Sequence, residues 1–219
     1  MAAMDCTLEL TPSEVELLRA SAGTQIVLFG NLTRKLTDEG YLSLPVLERI
    51  FIKALEANQA AGNLVCQVQN GRSLFGINHG RQVVIRANGG QYAWPVPSLE
   101  ATIASLVRSL SSGTEMVTIT ELVHAWFRES TIRHLQASLR WVYDALADRG
   151  WVRRGLEQRL ELFGIPYYEI PGGTRRLVEE YRWDPDSPDD LVPEAKVLTN
   201  DIIERALHKE LRKLFFRCQ

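Results

Sequence analysis

The segment from Ser98 to Phe163 constrains this chain most, because helical and extended patterns follow one another there in a fixed order. A helical pattern over Ser98–Ser112 gives way to a short β-type run, Val117-Thr118-Ile119-Thr120. Thr118 stands three residues ahead of Glu121, the reciprocal capping pair that opens a helix, so a second helix is expected over Glu121–Arg128. A long third helix is expected over Thr131–Arg149. Its Ile132, Leu135, Leu139, Val142 and Leu146 recur at spacings of three and four and form one buried face. Gly150 stops that helix. Two strands, Trp151–Arg154 and Arg159–Phe163, are expected to follow around Gly155.

The N-terminal part repeats the order without repeating the residues. Thr11-Pro12-Ser13-Glu14 is a helix start, with a capping threonine, proline at the first helical position and glutamate three residues after the cap. The helix reaches about Ala22, before Gly23. Ile26-Val27-Leu28-Phe29 fits either a buried strand or a helical turn, and Gly40–Ser43 reads as extended. Pro45–Ala61 is an amphipathic helix with Leu47, Ile50, Phe51, Ala54 and Leu55 on one stripe, ended by Gly62. Residues 63–94 change to short apolar runs, Leu64–Val68, Leu74–Ile77, Val83–Ile85 and Tyr92–Trp94. The turn residues Asn70-Gly71, His79-Gly80 and Asn88-Gly89-Gly90 separate them, so a small antiparallel meander is expected. Pro95 and Pro97 mark the internal boundary.

Beyond Phe163, Ile165–Ile170 reads as a third extended run. Thr174 is placed to cap a helix reaching about Arg182. An acidic, proline-broken linker follows at 184–193, and a terminal helix over Leu198–Phe216 carries Ile202, Ile203, Leu207 and Leu211 at helical spacing. That helix is expected to pack back on the body. Its alternatives are docking on a partner or homo-oligomerisation.

Several function classes are excluded by composition and motif. In 219 residues, 45% are hydrophobic and the formal net charge is -2, so nothing pulls the whole surface toward nucleic acid or acidic lipid. Cys6, Cys66 and Cys218 are scattered and lack metal-ligand spacing, which points away from a disulfide framework and toward a reducing intracellular compartment such as the cytoplasm. No apolar run approaches the roughly 20 residues of a membrane-spanning helix. Met1–Cys6 lacks the pattern of a secretory signal. His79, His124, His134 and His208 have no second ligand at helical spacing, and no catalytic motif appears. The chain is expected to be non-enzymatic, with no cofactor and no metal.

The order of elements in Ser98–Phe163 resembles winged-helix domains. With the degenerate repeat over 11–94, it resembles tandem winged-helix proteins, which act in transcription, chromosome segregation and protein assemblies. A single mixed domain with one winged-helix-like half is the other reading. The expected fold is α+β and helix-rich. It comprises an N-terminal helix and β-meander module (11–94), a winged-helix module (98–170) and C-terminal helices (171–219).

In such a domain the third helix enters the major groove and the wing touches the backbone or minor groove. Arg133, Gln136 and Arg140 are then candidates for the groove, and Arg153, Arg154 and Arg159 for the wing. Arginine grips phosphate and reads guanine edges with two hydrogen bonds. From Arg128 to Arg159 there are seven arginines (Arg128, Arg133, Arg140, Arg149, Arg153, Arg154, Arg159) against four acids (Glu129, Asp144, Asp148, Glu157). That excess of three charges implies weak or partner-assisted binding of nucleic acid.

Two stretches also resemble the Golgi phosphoprotein-type family of peripheral membrane proteins. Leu10–Leu18 is similar to that family's opening helix. Leu146–Val152 with Arg159–Phe163 is similar to its helix, glycine, strand and hydrophobic turn. The resemblance implies an adaptor recognising phosphoinositide head groups. That family's site uses a tryptophan on an early loop, which Tyr41–Pro45 does not have, and a helix arginine spacing that Arg133 and Arg140 do not match. Nucleic acid is therefore the first expected partner, and a protein or lipid surface the second.

Overall fold

Glycine and proline punctuation divides the chain into elements very near the expected places. The computed structural model describes residues 10–21, 25–27, 44–70, 81–90, 92–111, 116–129, 135–159, 163–181 and 202–211. The fold is α+β and helix-rich. In chain order, α1 (Pro12–Ala20) and β1 (Gln25–Val27) precede α2 (Leu44–Ala60), β2 (Leu64–Asn70) and β3 (Arg81–Ala87). Then come α3 (Leu99–Leu110), β4 (Val117–Thr118), α4 (Ile119–Glu129), α5 (Leu135–Asp148), β5 (Arg153–Arg159), β6 (Phe163–Glu169) and α6 (Gly172–Glu180). A last helix, α7, covers 202–211. Gly62 and Gly150 end α2 and α5 at φ of 72° and 80°, the left-handed geometry that glycine adopts without steric cost.

The two parts of the chain exchange strands. One antiparallel sheet runs β1-β6-β5, so the first strand of the chain pairs with the hairpin that closes the second part, Ile26 facing Tyr168. The other runs β2-β3-β4, so the strand after α3 pairs with the hairpin of the first part, Ile85 facing Val117. Each sheet thus consists of a hairpin from one part and a short strand from the other.

A common core follows from that exchange. Val15, Leu47, Ile85, Ile103, Val117, Trp126, Tyr143, Tyr168 and Leu207 belong to one continuous buried cluster, drawn from both parts and from α7. Trp126 is fully buried. Its ring meets Phe51 at 5.5 Å, Phe127 at 5.1 Å and the partly buried Trp141 at 6.4 Å between centroids. The whole expected stripe of α2 is buried, as are Leu139, Val142 and Leu146 of α5. The terminal helix packs back on the body through Ile203, Leu207 and Leu211.

Some local expectations differ. Gly155 is not a turn but an interior residue of β5 opposite Tyr167, whose ring fills the place a Cβ would occupy. The second strand starts at Phe163 and absorbs the run expected separately over Ile165–Ile170. Pro166 lies in this strand one residue beyond the described pairing of β1 with Tyr167–Glu169. Thr174 does not cap α6, which begins at Gly172; its hydroxyl donates instead to the Trp151 carbonyl at 2.8 Å. Tyr92–Trp94 forms no strand, and β4 takes the place it was expected to fill beside β3. The Leu74–Ile77 run, the turn at Gly71, the extended piece Gly40–Ser43 and the 184–193 linker lie outside the described residues.

The 92–97 segment is fixed from below by Asn58, whose side chain is fully buried. Asn58 Oδ1 accepts from Trp94 Nε1 (2.9 Å) and Asn63 Nδ2 (3.2 Å), and its Nδ2 donates to the Ala54 and Glu100 carbonyls. Next to it, the Gly90 N–H donates to the Gly62 carbonyl at 3.1 Å. A Cβ on Gly90 would strike that carbonyl, which is backbone and cannot swing aside. Gly90→Ala is expected to lower the unfolding free energy by roughly 1–3 kcal/mol in urea denaturation, the usual cost of overpacking.

Candidate functional site

Helix α5 and strand β5 are joined by Gly150 and lie so that side chains of the helix's outer face meet those of the strand. Arg154 of β5 reaches back to Asp144 (2.9 Å) and Asp148 (3.2 Å), one turn apart on α5. Arg140 lies 3.8 Å from the same Asp144, and Tyr168 of β6 donates its hydroxyl to it at 2.6 Å. Asp144 therefore gathers two arginines and a phenol. Burial raises the pKa of Tyr168 first and the carboxylate beside it second, so the phenol keeps its proton and remains the donor.

Among the sequence candidates, Arg140 and Arg154 are exposed on this face, whereas Arg153, exposed as well, precedes Arg154 in β5 and belongs to the other face of the strand, in register with Glu169. Gln136 lies in the first turn of α5 and Arg159 at the end of β5; Arg133 is outside the described residues. Arg149, counted above with the basic residues, belongs to the interior. Its side chain is 5% exposed and pairs with Glu14 at the start of α1. The described face then carries two cations (Arg140, Arg154) and two carboxylates (Asp144, Asp148) in mutual contact. Arg140 and Arg154 keep 52% and 46% of their side-chain surface in solvent. Exposed pairs of this kind contribute only about 0.2–1 kcal/mol, so they can exchange partners with an incoming anion, but the carboxylates stay behind.

A second surface feature lies at the other sheet. A cavity of about 530 Å³ opens between β3, the start of α4 and α7. Gln82, Thr118, Thr120, Arg205, Lys209 and Glu210 give it a mixed polar lining. The start of α4 carries a reciprocal cap: the Glu121 N–H donates to Thr118 Oγ1 at 3.2 Å, and Glu121 Oε2 accepts from the Thr118 N–H at 2.8 Å. Among the described residues no three His, Cys, Asp or Glu side chains converge as a metal site. Burial pushes the Cys66 thiol up to about 12, which keeps it protonated and unreactive at neutral pH. No helix among the described residues is long and apolar enough to cross a membrane.

Comparison with protein-family models gives no match to this chain, and comparison with curated proteins gives no relative.

The most perturbed acids are in the interior, and sequence patterning did not single them out. Glu14 and Glu100 are both fully buried, on α1 and α3. Glu100 accepts from the Ser13 N–H at 2.8 Å and the Ser13 hydroxyl at 2.9 Å, satisfying a free donor in the first turn of α1. Glu14 accepts from the Thr11 N–H at 2.9 Å and pairs with Arg149. Burial raises both carboxyls above the ordinary range, Glu14 to about 7 despite its arginine. The only local sign was the glutamate in the capping position, and nothing in the chain marks a residue 86 positions later as its neighbour.

The pH dependence follows. A carboxyl whose folded pKa is raised binds its proton more tightly folded than unfolded. Its stabilisation is full below about 4.5 and is lost as the pH rises through about 7. Urea denaturation is expected to show stability falling by on the order of 2 kcal/mol between pH 5 and pH 8. Glu14→Gln should remove most of that slope.

Proposed function

We propose that this protein is a non-enzymatic, winged-helix-type binding subunit that touches nucleic acid weakly by itself and acts within a DNA-associated assembly. The helix–strand–helix–helix–strand–strand order from α3 to β6 supports the winged-helix reading. The observation that carries the functional reading is the α5–β5 region, where Arg140 and Arg154 stand exposed beside Asp144 and Asp148 and Arg153 stands exposed on the other side of β5. Phosphate contacts supply most non-specific affinity, and each one releases counterions. A face whose two cations are matched by two carboxylates makes few such contacts. It gains affinity only where a neighbouring subunit adds cations or shape.

Fluorescence anisotropy with random-sequence duplex DNA tests this directly. Binding is expected at about 20 mM salt and lost by roughly 150 mM, with a shallow salt slope. Arg153→Ala with Arg154→Ala should abolish it. Asp144→Asn with Asp148→Asn should strengthen it by about fivefold or more, because two phosphate-repelling charges are removed while the Tyr168 acceptor is kept. Absence of binding at low salt, or indifference to both double variants, contradicts the proposal.

A second reading, an adaptor docking on a protein or a phosphoinositide-bearing surface, draws on Leu156. It is 70% exposed on the same hairpin as Arg153 and Arg154. In that reading the contact lies on the hairpin rather than on α7, whose apolar stripe is already spent on the core. Self-association through α7 would first require its release.

A further inference from the structure

The cavity between β3, α4 and α7 takes one whole face of the terminal helix. Ile202, Arg205, Ala206 and Lys209 follow at helical spacing and all line it. Ile203, Leu207 and Leu211, on the adjoining face, are spent on the core. Opposite α7, the body contributes Gln82 and Val83 of β3 and the run from Thr118 to Thr120 that opens α4. The volume of about 530 Å³ falls within the range of small-molecule sites, roughly 300–1,000 Å³.

The lining is divided by polarity. Val83 and Ile119 are buried, and Ile202 and Ala206 are partly buried, so these four form an aliphatic wall. The charged groups all come from α7, Arg205 and Lys209 against the single acid Glu210. Glu210 also meets His124 of α4 at 3.5 Å. Lys209 is exposed and takes part in no ion pair or hydrogen bond among the described residues. The same holds for the side chains of Gln82 and Thr120.

That division selects among ligand classes. A divalent cation needs several oxygen ligands, and here it meets one carboxylate and two positive charges. A nucleobase or other flat ring finds no aromatic side chain in the lining to stack on. A neutral molecule leaves the surplus positive charge unmatched. We propose that the cavity binds a small organic monoanion, a carboxylate on a short aliphatic chain, with its charged end at Lys209 and its chain along Val83, Ile119, Ile202 and Ala206. The ammonium of Lys209 stands on a flexible stem and follows the carboxylate, while the Thr120 hydroxyl and the Gln82 amide are neutral donors for its oxygens. Each methylene withdrawn from water against the aliphatic wall adds to affinity. Such a ligand touches β3, α4 and α7 at once, so it ties the terminal helix to the body.

Nuclear magnetic resonance of the nitrogen-15-labelled full chain, titrated with sodium hexanoate at neutral pH and constant ionic strength, tests the site. Amide shifts should saturate with a dissociation constant on the order of 1 mM and cluster at Gln82–Val83, Thr118–Thr120 and 202–209. Butyrate, two methylenes shorter, should bind about tenfold more weakly. Hexanamide, which keeps the chain and lacks the charge, should bind weaker by about fivefold, and Lys209→Gln should weaken hexanoate by a similar factor. Lys53→Gln removes the same charge from α2, outside the lining, and should leave the affinity unchanged. Shifts that do not saturate, or that fall elsewhere, overturn the proposal. Equal binding of hexanamide, of butyrate, or of hexanoate to the Lys209→Gln variant overturns it as well.

Discussion

A buried ion pair between Arg149 and Glu14, with the buried carboxyl of Glu100 beside it, is the constraint on which the rest of the molecule depends. Glu14 and Glu100 lie where the N-termini of α1 and α3 meet, and Arg149 comes from the end of α5. Loss of water raises both carboxyls, and at Glu14 the neighbouring Glu100 adds to that rise while Arg149 opposes it. The cluster contributes little net stability as an ion pair, since desolvation offsets most of the attraction. Its effect is on arrangement: losing one member strands the others in the core, so the three helices cannot separate independently. It also takes Arg149 away from the surface and lowers the positive charge left on the candidate interface.

The exchanged strands impose the same unity on the sheets. Neither hairpin has its third strand within its own part of the chain, and β1 and β4, the short strands that complete them, are only 3 and 2 residues long. Strands so short hold their place through neighbours rather than through their own ladders. The α5–β5 face is consequently backed by a core that includes α1, and its sheet is completed by β1. Its geometry is set by both parts, which suits a rigid module that presents a surface to a larger assembly.

Much of this was legible in the sequence where the signal is local. The capping residues Thr118 and Glu121, the stops at Gly62 and Gly150, and the apolar stripes of α2 and α5 placed their elements within a few residues. What could not be read there is non-local. The exchange of β1 and β4 depends on which hairpin lies nearest, and a two- or three-residue strand carries no partner preference in its composition. Gly155 looked like a turn because glycine usually punctuates; the reason it lies inside β5 is the ring of Tyr167 on the facing strand. For the candidate face, residue types were legible but their pairing was not. Asp144 stands one helical turn beyond Arg140, a pairing that the spacing itself offers, but only the return of β5 along α5 brings Arg154 to Asp144.

The central claim is that the two parts form one folding unit, completed by exchanged strands and a shared charge cluster. It is tested most directly by producing residues 1–97 and 98–219 as separate chains and following each by calorimetry and far-ultraviolet circular dichroism. The account predicts that neither fragment alone shows a cooperative thermal transition, and that mixing them in equal amounts restores one. A cooperative transition in either fragment by itself would contradict it.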